Sequence, residues 1–179
     1  MKRKITSLTT AIIVLLLMLI SLPEIGWGQT RTKITAIGNI ETGKSYYIGA
    51  TTNETDYYLS ANGSSVGTGI AGTAVTSKAS ASVFTFTGSG TSWTIQFSSG
   101  YYMSLSSSKA NGKVEAQEES INWTAANQEG LIRLSVNSHC LQKNSGTTNF
   151  GSYGHGGTGY QTDIWLEKAA SDPVINAIT

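Results

Sequence analysis

The chain of 179 residues has one cysteine, two prolines and few charges, and each scarcity excludes something. With Cys140 alone, no intrachain disulfide can form, so the fold must be held by its core. The prolines, Pro23 and Pro173, lie near the two ends, and residues 37–168 contain none. Turns in that stretch must therefore rest on Gly, Asn and Ser. Charged residues make up 13% of the chain and stand mostly singly. That excludes the clustered Lys and Arg that a nucleic-acid backbone or an acidic lipid surface requires. Two histidines, His139 and His155, are too few for a four-ligand structural zinc site, and no cofactor or metal is expected. Helical periodicity is absent after residue 28.

The one long apolar run lies at the start. Lys2, Arg3 and Lys4 precede an apolar stretch over residues 11–22, Pro23 breaks it, and Gly26-Trp27-Gly28 offers a small-x-small cleavage site. That order is the pattern of a secretory signal peptide over residues 1–28. The run is too short to span a bilayer comfortably, which takes about 20 residues. A secreted protein with no membrane association after cleavage is the expectation. Without Lys2, Arg3, Lys4 and Glu24, the exported portion carries 9 basic and 10 acidic residues, close to neutral. Residues 29–36 read as a flexible lead-in, 37–168 as the folded domain and 169–179 as a linker or tail, after which a longer parent chain would carry a neighbouring domain.

Within 37–168 one strand phrase recurs: Tyr57-Tyr58-Leu59-Ser60, Tyr101-Tyr102-Met103-Ser104 and His139-Cys140-Leu141-Gln142. Each copy follows an alternating strand containing Ile48, Ile95 or Leu134, and each precedes a short strand around Phe84, Trp123 or Trp165. A spacing near 40 residues means one supersecondary unit used three times. Asn62-Gly63, Ser99-Gly100, Asn111-Gly112 and Ser145-Gly146 mark turns, since Gly and Asn accept positive φ. Twelve strands are predicted, near 44–49, 57–61, 69–76, 83–87, 92–97, 101–106, 113–117, 121–125, 131–136, 139–143, 148–153 and 163–168. The predicted core is Ile48, Leu59, Phe84, Phe86, Trp93, Ile95, Met103, Leu105, Val114, Trp123, Ile132, Leu134, Leu141, Phe150, Ile164 and Trp165.

Three four-stranded units that cannot bury a core singly must pack around a shared axis. In this respect the sequence resembles the β-trefoil fold, all-β with pseudo-threefold symmetry; a β-sandwich is the competing architecture. Trp93-Thr94-Ile95, Gly100-Tyr101-Tyr102-Met103-Ser104 and Asn122-Trp123-Thr124 also resemble modules of large secreted bacterial proteins. That resemblance implies a non-catalytic accessory role. The ricin-B-like lectins of this fold carry Gln-x-Trp, whereas here Ile121 and Asp163 stand two residues before Trp123 and Trp165. The lectin sugar sites therefore do not carry over, and both tryptophans read as core.

The stretch Gly151-Ser152-Tyr153-Gly154-His155-Gly156-Gly157-Thr158-Gly159-Tyr160 is the most unusual segment. Its glycines let backbone approach a ligand, and its rings could stack on a sugar. Tyr153, His155 and Tyr160, with Asn149, are the candidate ligand-binding residues. Cys140 and His139 occupy repeat positions and read as scaffold. Glu115, Glu118 and Glu119 read as a solvated hairpin, and no Gly-x-Ser-x-Gly nucleophile elbow is present. Asn53, Asn62 and Asn122 begin Asn-x-Ser/Thr sequons. The leading expectation is a secreted, non-catalytic module binding glycan or another extracellular surface ligand. The alternatives are a structural or protein-interaction accessory module and, behind it, a hydrolase.

Overall fold

The structure is a computed structural model of the chain that describes residues 32–110, 112–154 and 161–170. The signal-peptide span, His155, Tyr160 and most of the tail lie outside those residues. Contacts place all the described residues in one unit beginning at Thr32.

The described residues form fourteen strands: β1 Lys44–Thr52, β2 Thr55–Ser60, β3 Gly67–Ala71, β4 Thr73–Val75, β5 Phe84–Ser89, β6 Ser92–Phe97, β7 Tyr102–Ser104, β8 Lys113–Gln117, β9 Trp123–Gln128, β10 Leu131–Val136, β11 His139–Asn144, β12 Phe150–Gly154, β13 Gln161–Thr162 and β14 Trp165–Lys168. All their pairings are antiparallel. Two single 3₁₀ turns, Ile37–Asn39 and Lys78–Ser80, are the only helical elements among them. No described helix is long and apolar enough to cross a membrane.

Six strands pair in a circuit, giving a nearly barrel-shaped sheet. β1 pairs with β5, β5 with β6, β6 with β9 and β9 with β10. An Ile132–Ile164 bridge leads from β10 to the residue before β14, and β14 returns to β1. The register repeats around this circuit. Tyr46 faces Phe84, Trp93 faces Trp123, and Ile132 faces Ile164. Two residues further on, Ile48 faces Leu166, Ile95 faces Phe86, and Leu134 faces Ala125. All twelve side chains are buried. Strand alternation explains this: residues two apart share a face, and these pairs put the apolar face inside. The pairs β2–β4, β7–β8 and β11–β12 supply the corresponding hairpin of each repeat.

Every residue of the predicted core is buried. One repeat alignment needs correction. The place of Phe84 and Trp123 is taken by Ile164, not Trp165. A one-residue shift turns Trp165 to the other face of the strand. There its ring lies on the backbone of Gly49, where an added Cβ would sit 2.3 Å from the indole, and the Tyr58 ring meets it edge-on at 5.2 Å. Trp165 is thus buried, but between strands and lead-in rather than on the shared axis.

The predicted strand 69–76 is two strands. Gly72 interrupts it because its N–H donates to Gly112 O at 2.8 Å while its carbonyl accepts from Phe150 N at 2.8 Å. Backbones of three repeats meet here, and a Cβ on Gly72 would stand 2.7 Å from Phe150 O. The lead-in also pairs: Ile34 exchanges hydrogen bonds of 2.7 and 2.9 Å with Leu166. Lys33 Nζ bonds Asp56 at 2.6 Å and lies 4.7 Å above the Trp165 ring.

Candidate ligand-binding site

Of the sequence-predicted site residues, Asn149 and Tyr153 lie on the β11–β12 hairpin. Tyr153 pairs with Cys140 and is 1% exposed, so its ring presents no open stacking face. Burial pushes its phenol up from the ordinary value, opposed by nearby Asn144 and the Gly112 backbone. No hydrogen bond of normal geometry reaches that hydroxyl. Asn149 is half-buried; its backbone bridges to Thr73, and its amide crowds Gly112, where an added Cβ would lie 2.9 Å away. His139 takes a scaffold position, its Nδ1 3.0 Å from Asn137 O. Glu118 and Glu119 are exposed, and Glu115 is half-buried on β8. Cys140 is buried, and burial pushes its thiol up, away from the reactive thiolate.

The third repeat holds its polar groups in mutual contact. Asp163 accepts from Arg133 Nη2 at 2.8 Å, from Arg133 Nε at 3.2 Å and from Gln142 Nε2 at 2.8 Å. The bond to Asp163 holds the guanidinium's pKa above its usual value. On the neighbouring position of β11, Lys143 is 1% exposed. Its ammonium donates to Asn144 O and Thr147 O, both at 2.8 Å, and sits 4.3 Å over the Tyr57 ring. Burial pulls its pKa down. These contacts tie strands together, although Gln142 Oε1 and Gln161 Oε1 are buried there without a hydrogen-bond partner.

A different region does offer free polar groups. A cleft of about 570 Å³ opens between residues 60–64 from the end of β2, 81–83 before β5, and 97–99 from the end of β6. Its walls are pinned by two serines. Ser82 Oγ donates to Ala61 O at 2.8 Å and accepts from Ala61 N at 2.9 Å. Ser99 Oγ donates to Gly63 O at 2.6 Å. Asn62 Oδ1 accepts from Ser64 N at 3.2 Å, closing an Asx turn. Gly63 must be glycine, because a Cβ there would lie 2.4 Å from the Phe97 ring that forms the floor.

Among the described residues, the hydroxyls of Ser60, Ser64 and Ser98 and the Asn62 side-chain amide N–H groups have no protein partner. All four residues are half-buried or exposed and line the cleft. A serine hydroxyl both donates and accepts, and an amide nitrogen gives two donors, so the cleft can hydrogen-bond a ligand rich in hydroxyls. None of the lining side chains is titratable. The sequence had marked Asn62-Gly63 and Ser99-Gly100 as turns. It carried no sign that these turns, far apart in the chain, face each other across one cleft.

A smaller cleft of about 320 Å³ is lined by Asn122, Thr124 and residues 135–138. The register places Asn122 where Val83 stands in the first cleft, and 136–138 where 97–99 stand.

No protein-family model matches the chain, nor does any curated protein. Solved structures do. A lectin of Polyporus squamosus, solved bound to the human-type influenza-binding epitope Neu5Aca2-6Galb1-4GlcNAc, superposes with a TM-score of 0.54 at 12% identity over 73% of this chain. The chain spans 50% of that lectin's length. A salivary protein of Culex quinquefasciatus, from the Cysteine and Tryptophan-Rich family, gives a TM-score of 0.50 at 22% identity, covering 72% of this chain and 96% of its own. At such identities the likeness is one of fold.

Proposed function

We propose that this chain is an exported, non-catalytic glycan-binding module with a β-trefoil fold. The fold reading is supported by the circuit of six strands, whose register repeats three times, with one hairpin per repeat. The export reading rests on the basic, apolar and small-residue order of residues 1–28. Likeness to a lectin fits the binding reading but does not carry it. The observation that carries it is the cleft: residues bearing three unpartnered hydroxyls and one amide line it, and no titratable side chain does. Such a lining hydrogen-bonds sugar hydroxyls and holds no acid–base pair for hydrolysis.

The test is retention of the whole protein on immobilised oligosaccharides and polysaccharides. The expected outcome is binding that is lost in the double variant Ser64→Ala/Ser98→Ala and unchanged in Tyr160→Ala. Loss in Tyr160→Ala alone would move the site to the glycine-rich stretch of residues 155–160. Absence of any glycan signal would sink the reading and favour an accessory module that contacts protein.

A further inference from the structure

The chemistry of the cleft narrows what it can hold. Its free groups, on Ser60, Asn62, Ser64 and Ser98, are all uncharged. The nearest cation along the chain, Lys78, is turned elsewhere: its ammonium bonds the Glu167 carboxylate and lies 5.5 Å over the Tyr47 ring. Apolar surface is present too, since Ala81 and Val83 are only half-buried at the rim. A pyranose has both faces such a site needs, hydroxyls at its edge and C–H groups on its flat side. An anionic sugar brings a carboxylate whose hydration must be replaced. Hydroxyl and amide donors can bond that carboxylate, whose charge strengthens the bond, but unlike an Arg or Lys they bring no positive charge to balance it. To the extent that the carboxylate is drawn out of water it loses hydration, and no lining side chain is a cation that would offset the loss.

We infer that the cleft selects neutral hexopyranosides and discriminates against the same glycans capped with sialic acid. This rests on the glycan-binding reading and specifies its ligand class. It also sets the chain apart from the Polyporus squamosus lectin, which was solved with a sialylated epitope although its fold is similar.

The experiment measures affinity for matched pairs, among them Galb1-4GlcNAc with and without its terminal Neu5Ac, alongside a panel of neutral polysaccharides. Neutral members are expected to bind about tenfold or more tightly than their capped counterparts, the scale of one poorly compensated polar group. Binding of the neutral members should be insensitive to salt. Ser98→Lys, an exposed position whose change leaves the core untouched, should reduce the penalty on the capped glycans; Ser64→Lys serves as a second variant if the first does not fold. Equal or tighter binding of sialylated glycans by the unaltered protein overturns the inference while the glycan reading stands. Neutral binding that survives Ser64→Ala/Ser98→Ala also overturns it, because the ligand then sits elsewhere. Failure of every glycan to bind overturns the glycan reading, and this inference with it.

Discussion

The first and third repeats treat their polar residues in opposite ways. Of the buried polar or charged residues, Gln142, Lys143, Ser152, Asp163 and Glu167 belong to the third repeat, and only Thr52 comes from the first. In the third repeat most of these groups bond one another or the backbone, while Glu167 reaches Tyr58 and Lys78 of the first repeat and Gln142 Oε1 has no partner. Arg133, Gln142 and Asp163 form one cluster, and Lys143 is closed over carbonyls and the Tyr57 ring. In the first repeat Ser60 and Ser64 stay at the cleft without a protein partner, as does Ser98 of the second repeat across from them. Polar groups that satisfy each other specify structure. Polar groups left open to solvent can exchange water for ligand. The same repeat unit thus ties its polar groups into the fold in one copy and leaves them open to solvent in another.

The largest expected effect breaks the third-repeat cluster. Asp163→Ala leaves Arg133 and Gln142 without their acceptor near the core, and should lower stability by about 3 kcal/mol in urea unfolding. A loss below about 1 kcal/mol would mean that solvent replaces the carboxylate and the third repeat is not held this way. Next, Ser82→Ala removes the hydroxyl bridging both backbone groups of Ala61. A stability loss of about 1 kcal/mol is expected, with weakened glycan binding because the cleft wall loosens. Smaller still is a pH effect from Lys143. Burial lowers its folded pKa below that of the unfolded chain, so between the two values the unfolded chain holds more protons and stability rises with pH. The rise should appear on the alkaline side, below the ordinary lysine value of about 10.4, and vanish in Lys143→Met. Ser98→Ala should sharpen the contrast from the other side. Its stability should stay within about 0.5 kcal/mol of the parent in thermal unfolding, while neutral-glycan affinity falls about fivefold.

Much of the fold was readable because the strand period and the repeat period agree. Ile48, Ile95 and Leu134 were assigned equivalent places from spacing alone, and each lies buried opposite an equivalent partner. The Trp165 alignment failed for a physical reason. An aromatic at nearly the right spacing outweighed the small register shift that put Ile164 on the axis, and only strand pairing reveals which face a residue takes. Gly72 was hidden inside a strand-like run because its bonds go to Gly112 and Phe150, far away in sequence. The cleft was less legible still. Ser60, Ser64 and Ser98 are ordinary loop serines in the sequence, and what distinguishes them is the lack of a partner, which is a property of three dimensions.

The pairing of β1 with β14 carries a consequence for how the protein reaches its native state. Ile48 is made early and Leu166 late, yet each needs the other to complete the ring. A polypeptide emerging from its amino end cannot seal this sheet until Trp165–Lys168 have appeared, and long-range closure of this kind is slow.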